Sequence, residues 1–193
     1  MKKTLLFLIL FLAGTTSLYA SQPLPALKGE IDKVVDILTD PQYTDEAKKS
    51  EQYDKLWNVM ANVFDFKTMS RLTLGKNWKD FSSEQKSEFS DIFAKFLGKI
   101  YLDKLQSGFS GEKVNYKGED IITSKKAEVM TTIIRNGVET PVNYMMVKAG
   151  DTWKIYDVKI EGVSLLKNYR TQFTSILMKD KPQDLIEILK KKI

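Results

Sequence analysis

Asp157, beside Tyr156, is the residue of this sequence with the strongest case for acid–base chemistry. It lies in an apolar segment, residues 153–160, whose alternation predicts a strand. A carboxyl group directed into an apolar space has a raised pKa, and some isomerases use such a group as a general base. The alternative role is structural, an internal salt bridge to Arg71 or Arg170. We favour the salt bridge.

The rest of the composition offers little for catalysis. The chain contains no histidine and no cysteine, which excludes Ser-His-Asp and Cys-His catalysis, the usual zinc sites and the commonest general base. It also lacks the G-x-S-x-G, P-loop, dinucleotide-binding and EF-hand patterns. The sequence therefore predicts a protein that is not an enzyme and holds no metal.

Residues 1–20 have the pattern of a secretory signal peptide. Lys2 and Lys3 precede an apolar run from Leu5 to Ala13, and we expect cleavage after Ala20. No later apolar run is long enough to predict a membrane helix, and without cysteine an exported chain must be stabilised by packing alone. The formal net charge of +5 is small, so nucleic acid is not an expected partner.

The spacing of apolar residues predicts helices over about residues 26–108. The first helix should end near Asp40-Pro41. Asp65 is a predicted N-cap, Gly75 a predicted helix stop, and Ser82 with Gln85 a predicted capping box that begins the longest helix.

Residues 112–160 have strand character, and helices return over 164–192. Asn136-Gly137 predicts a tight hairpin, and Pro141 predicts a sheet edge or a bulge. The strands are apolar on both faces, so either helices cover both faces or one face lines a cavity. Helices segregated from an antiparallel sheet define an α+β fold.

The segment Trp153–Phe173 joins the sheet to the C-terminal helices. Its strand pattern breaks at Glu161-Gly162, and helical spacing follows. The segment therefore predicts a strand that passes directly into a helix, with Gly162 as the hinge. The strand has two faces, one with Ile155 and one with Val158, and the pattern does not decide which of them points inward.

Two long motifs resemble the MlaC family of periplasmic phospholipid-binding proteins. One is DFKTMSRLTLGKNWKDFSSEQKSEFSDIFAKFL, from Asp65 and continuing to Tyr101; the other is WKIYDVKIEGVSLLKNYRTQF, residues 153–173. The resemblance implies a single lipid-binding domain over residues 21–193. Its expected fold is a twisted antiparallel sheet of about four strands wrapped by helices, similar to the NTF2-like cone, with an apolar cavity.

The resemblance also implies a function. A protein of this kind is a soluble periplasmic carrier that takes phospholipid between the inner and outer membranes and maintains outer-membrane lipid asymmetry. The implied partners are an inner-membrane ABC transporter with an MCE-type ring and an outer-membrane lipoprotein complex. We expect a monomer that has no cofactor besides the phospholipid it carries.

Pattern and resemblance together nominate fourteen residues for contact with the acyl chains: Phe64, Met69, Phe93, Phe96, Leu97, Tyr101, Met130, Tyr144, Met146, Val158, Val163, Leu166, Tyr169 and Phe173. Two other functions stay open at this point. One is a periplasmic chaperone-like module whose apolar groove binds a protein segment. The other is an NTF2-like enzyme that acts on a small hydrophobic substrate with Asp157 as base.

Overall fold

A computed structural model describes residues 22–193, so the predicted signal peptide lies outside the described residues. Four helices come first: α1 (Pro23–Thr39), α2 (Lys49–Val63), α3 (Phe66–Leu74) and α4 (Ser83–Gly108). Short 3₁₀ turns lie between α1 and α2 and between α3 and α4. Five strands follow: β1 (Lys113–Thr123), β2 (Lys126–Arg135), β3 (Val138–Ala149), β4 (Thr152–Ile160) and β5 (Val163–Ser164). The last elements are α5 (Leu165–Leu177) and α6 (Pro182–Lys190).

The helix boundaries follow from local chemistry at their ends. The Asp65 side chain accepts a hydrogen bond from the Thr68 N–H and so caps α3, and the reciprocal bonds of Ser82 and Gln85 form the predicted capping box of α4. Gly75, with a φ of 55°, follows the last residue of α3. These predictions are confirmed.

The sheet is antiparallel throughout, and its strands lie in the order of the sequence. Asn136 and Gly137 both have positive φ, 50° and 80°, in the predicted hairpin between β2 and β3. Pairing of β3 with β4 begins only at Val142. Pro141 lies just outside this pairing, and its carbonyl accepts a hydrogen bond from the Glu161 N–H at 2.9 Å. The prediction of a sheet edge or a bulge at Pro141 is therefore wrong: β3 is a central strand, and the proline lies where its pairing with β4 ends.

The junction of sheet and C-terminal helix differs from the prediction in one respect. Glu161 and Gly162 have φ values of 50° and 80° and form the predicted break. The chain then does not pass directly into a helix, because Val163 and Ser164 first pair back against β4 as β5. The strand therefore reaches α5 through a tight hairpin, in which both turn residues adopt positive φ.

Two separate hydrophobic cores stabilise this architecture. The first lies among α2 to α6 and is rich in aromatic rings, with Phe93 within 5.5–5.7 Å of Phe89, Tyr169 and Phe173 between ring centroids. The second lies between α1 and the sheet and includes Leu27 and the strand residues opposite it. Phe64, at the end of α2, packs against both cores.

The joint between α2 and α3 is attached to the edge of β4. Phe64 forms an isolated parallel bridge with Ile155, and the Asp65 N–H donates to the Ile155 carbonyl at 2.8 Å. On the far side of α3, the Arg170 guanidinium of α5 donates to the Leu72 carbonyl at 2.8 Å. The short helix α3 is thereby fixed between the sheet and α5.

Gly98 allows α2 and α4 to approach closely. A Cβ atom at Gly98 would lie 2.6 Å from a ring carbon of Trp57, whereas Gly29, on the exposed side of α1, has nothing within 4 Å. We therefore expect Gly98→Ala to lower the free energy of unfolding by about 1–3 kcal/mol, the usual cost of overpacking.

Gly29→Ala is the matched control. It should raise the free energy of unfolding by about 0.5–1 kcal/mol, because alanine is the better helix former. Urea unfolding of the two variants measures the difference. Equal stabilisation by both substitutions would contradict the close approach of the two helices.

Candidate functional site

An apolar cavity of about 640 Å³ lies between the sheet and the helices. Helical residues form most of one wall: Leu27, Glu30, Ile31, Val34, Val35, Leu38, Leu56, Val59, Met60, Val63, Phe64, Met69, Leu97, Tyr101, Leu102, Lys104, Leu105, Gly108 and Leu165. The sheet and the segment that leads into it form the rest: Phe109, Glu112, Val114, Ile133, Arg135, Thr140, Val142, Tyr144, Ile155, Val158 and Ile160.

The cavity has a closed end and an open end. At the closed end the lining includes Leu27, Met69 and Ile155, whose side chains are at most 2% exposed. The open end lies where α4 finishes and where the β2–β3 hairpin turns. There Lys104 is exposed and the Arg135 side chain is 56% exposed. A ligand with an apolar body and a polar end fits this polarity.

A bulge in β4 decides which strand face points inward. Met145 pairs with Asp157 and Met146 pairs with Ile155, so Tyr156 has no partner in β3. The extra residue reverses the alternation. Ile155 and Val158, which simple alternation would place on opposite faces, consequently both line the cavity.

Six of the nominated residues line the cavity: Phe64, Met69, Leu97, Tyr101, Tyr144 and Val158. The other eight do not. Five of them belong to the aromatic core among the helices: Phe93, Phe96, Leu166, Tyr169 and Phe173. Position along α4 explains the division. Phe93, Leu97 and Tyr101 follow one another on the same face at a spacing of four residues, but Phe93 packs on the rings of α5 whereas Leu97 and Tyr101, one and two turns later, border the cavity.

The remaining three nominated residues lie on or beside the sheet. Met146 is fully buried in the core under α1, on the cavity side of the sheet but outside the lining. Met130 lies on the opposite face, because it pairs with Asn143, whose side chain bonds Glu128 there. Val163 is 65% exposed in β5.

The lining also contains many residues that were not nominated. Helix α1 contributes Ile31, Val34, Val35 and Leu38 along one face. Their helical spacing is plain in the sequence and predicts a buried face, but spacing alone does not tell a packed face from one that borders a cavity.

The cavity wall is electrically neutral where it is deepest. Burial raises the pKa of Tyr144 to about 12, and the neighbouring Tyr116 contributes. Burial likewise raises the pKa of Tyr116 to about 12. Both phenols are therefore uncharged at neutral pH.

Three charged residues of the lining, Lys104, Glu112 and Arg135, lie at the open end. Glu112 forms an ion pair with Arg135, 3.1 Å between Oε1 and Nε. Burial opposes ionisation of Glu112, but hydrogen bonds from Ser110 and the charge of Arg135 keep its pKa below the usual value. The carboxylate is thus ionised at neutral pH and compensates the guanidinium.

Asp157 has a structural role that differs from both predicted roles. Its carboxylate accepts hydrogen bonds from the Ser164 hydroxyl at 2.5 Å, the Leu166 N–H at 3.1 Å and the Val158 N–H at 2.9 Å. The predicted salt bridge to Arg71 or Arg170 is wrong, since these bonds occupy the carboxylate and Arg170 bonds the Leu72 carbonyl. Asp157 does not line the cavity and instead ties β4 to the start of α5.

Within residues 22–193, no cluster of acidic side chains is arranged to hold a metal ion. None of their helices has the length and apolar character needed to cross a bilayer.

The fold and the one-ended apolar cavity define a class of small α+β proteins with room for an apolar ligand. Residues 28–191 match the MlaC protein family, and the chain belongs to that family. It is 24% identical over 185 residues to the intermembrane phospholipid transport system binding protein MlaC of Haemophilus influenzae, covering 91% of this chain and 84% of that protein.

A second curated relative is the toluene tolerance protein ttg2D of Pseudomonas putida. It is 24% identical over 130 residues, and the match spans 66% of this chain and 60% of the relative's length. Among solved structures, a phospholipid-binding protein of Ralstonia solanacearum in complex with a phospholipid has the same fold. Its TM-score is 0.75 at 22% identity, with 89% of this chain and 97% of that chain covered.

Removal of the Asp157 charge should destabilise the protein. In Asp157→Asn the amide group would face backbone N–H donors, so we expect the free energy of unfolding to fall by about 2–3 kcal/mol. Asp120→Asn, at an exposed position of β1, is the control and should change it by less than about 0.5 kcal/mol. Equal stability of the two variants in urea unfolding would contradict the role assigned to Asp157.

Proposed function

We propose that this protein is a carrier of phospholipid that encloses the acyl chains in its cavity and leaves the headgroup at the open end. The observation that carries the proposal is the cavity of about 640 Å³, whose lining is mostly apolar and whose open end carries Lys104, Glu112 and Arg135. Membership of the MlaC family and the phospholipid bound by the Ralstonia solanacearum protein of the same fold support it.

The energetics of a lipid in water account for the size and character of the cavity. Each methylene removed from water is worth about 0.8 kcal/mol, so two sixteen-carbon chains represent roughly 25 kcal/mol. A carrier must offer its own apolar surface in exchange, because neither membrane would release a lipid into water. The long apolar lining supplied by α1, α2, α4 and the sheet meets this requirement.

A lipid bound in the cavity would also stabilise the folded protein. Side chains that border an empty apolar cavity lack contact atoms on one side, which costs stability. Acyl chains would remove the cost by contacting the lining.

The cellular role that we propose follows the family. The protein would be exported to the periplasm and carry phospholipid between the inner and outer membranes, which would maintain outer-membrane lipid asymmetry. It would act as a monomer and exchange lipid with an inner-membrane ABC transporter that has an MCE-type ring and with an outer-membrane lipoprotein complex. It would catalyse no reaction, which agrees with the position of Asp157 outside the cavity.

Within the nominated set, we propose different roles for two groups. The six lining residues, among them Tyr101, Tyr144 and Val158, would contact acyl chains, together with the apolar face of α1. The aromatic residues between α4 and α5, such as Phe93 and Phe173, would hold the helical wall in place and act on lipid binding through it.

A matched pair of bulky substitutions on the sheet tests the proposal. Val158→Trp places an indole in the cavity, and Met130→Trp places one on the opposite face of the sheet. We expect Val158→Trp to reduce co-purifying phospholipid, measured by native mass spectrometry without detergent, about tenfold, because the indole occupies the space of the acyl chains. Met130→Trp should retain the occupancy of the wild-type protein.

Circular dichroism of both variants controls for folding. If folded Val158→Trp carries as much lipid as the wild type, the acyl chains are not in this cavity and the proposal is wrong. A wild-type protein that never takes lipid from vesicles would contradict it more directly.

A further inference from the structure

The charged residues of the cavity lining are not all compensated. The lining contains four of them: Glu30 on α1, and Lys104, Glu112 and Arg135 at the open end. Glu30 forms an ion pair with Lys33 at 2.8 Å on the surface of α1. Glu112 forms its ion pair with Arg135.

Lys104 is the exception. None of the ion pairs within residues 22–193 includes it, and its neighbour on the helix, Asp103, is taken by Lys99 at 3.1 Å. Lys104 is therefore the charged residue of the lining that has no ion-pair partner among residues 22–193.

Arg135 lies close to this uncompensated charge. Its Nη2 donates to the Gly108 carbonyl at 2.8 Å while its Nε bonds Glu112. Gly108 is one helical turn after Lys104, and both line the cavity, so the two cationic side chains flank the same stretch of the opening. A guanidinium has five N–H donors, and these two contacts leave others available to a ligand.

The chemistry of a diacyl lipid places a phosphate at this level. The acyl chains enter the apolar part of the cavity, the glycerol ester groups follow, and the phosphate comes next, where the lining changes from apolar to charged. A phosphate oxygen accepts strong charge-assisted hydrogen bonds from lysine and arginine. Lys104, on a flexible stem and without a carboxylate partner, can reach such an oxygen without giving up another ion pair.

We propose that Lys104, assisted by Arg135, binds the phosphate of the carried lipid and makes the protein select lipids with an anionic phosphodiester over uncharged diacyl lipids. The inference rests on the proposed carrier function and adds a determinant of selectivity to it. The ion pair of Arg135 with Glu112 positions the guanidinium, so Lys104 supplies the net charge.

The test is a competition between two lipids with identical acyl chains. The full-length mature protein is incubated with vesicles that contain equal amounts of phosphatidylglycerol and diacylglycerol, and native mass spectrometry gives the ratio of the two bound lipids. We expect Lys104→Gln to lower the ratio of phosphatidylglycerol to diacylglycerol about fivefold, since one nearby lysine is worth about 1 kcal/mol toward an anionic lipid. Lys104→Glu should lower it further.

Lys95→Gln is the matched control. Lys95 is also an exposed lysine of α4 without an ion pair within residues 22–193, but it lies outside the cavity lining. Its variant should keep the ratio of the wild type. Equal ratios in the wild type and in both glutamine variants would overturn the assignment of Lys104 and leave the carrier function intact.

Two other outcomes separate the remaining explanations. Binding of neither lipid by the wild-type protein would overturn the carrier function and this inference with it. Titration with inorganic phosphate in a calorimeter should give no heat, because a free anion lacks the acyl chains that hold the phosphate at the opening. A heat of binding that disappears in Lys104→Gln would instead assign Lys104 to free phosphate.

Discussion

The cavity depends on two walls that share a core at one end only, where Leu27 of α1 and Val63 of α2 pack on the sheet. The aromatic core among α2 to α6 holds the helical wall through ring contacts such as Phe93 with Phe173. The opposite wall is a sheet, whose backbone hydrogen bonds preserve its shape. Beyond the shared core each wall keeps its shape through its own contacts, so the space between them can hold a ligand. The attachment of Phe64 and Asp65 to the edge of β4 sets the spacing at one end.

The same arrangement gives the cavity its direction. At the attached end the walls meet and the lining is fully buried, while at the other end α4 finishes and the β2–β3 hairpin projects, so the walls separate. Lys104, Glu112 and Arg135 of the lining lie where the walls separate. Helices can move relative to a sheet without breaking backbone hydrogen bonds, so this end is also where an acyl chain can enter most easily. Asp157 contributes by holding the start of α5 on β4, which fixes the position of the aromatic core relative to the sheet.

Much of the fold follows from local rules that act within a few residues. The capping box at Ser82, the Asn136-Gly137 hairpin and the break at Gly162 are all readable because turn and cap chemistry is short-range. Features of the site are less predictable from the sequence. The bulge at Tyr156 reverses the alternation of β4, and no residue type in the strand indicates it. Phe93 and Leu97 lie four residues apart on the same face of one long helix, and both belong to the aromatic core, yet only Leu97 also borders the cavity, because neighbouring elements decide what covers each turn.

Native mass spectrometry of the wild-type protein, purified without detergent, tests most directly whether the cavity is occupied by lipid. We predict a complex of the protein with phospholipid, and we expect the lipid to dissociate when the protein is unfolded. A protein that is consistently empty, and remains empty after incubation with phospholipid vesicles, would contradict the account.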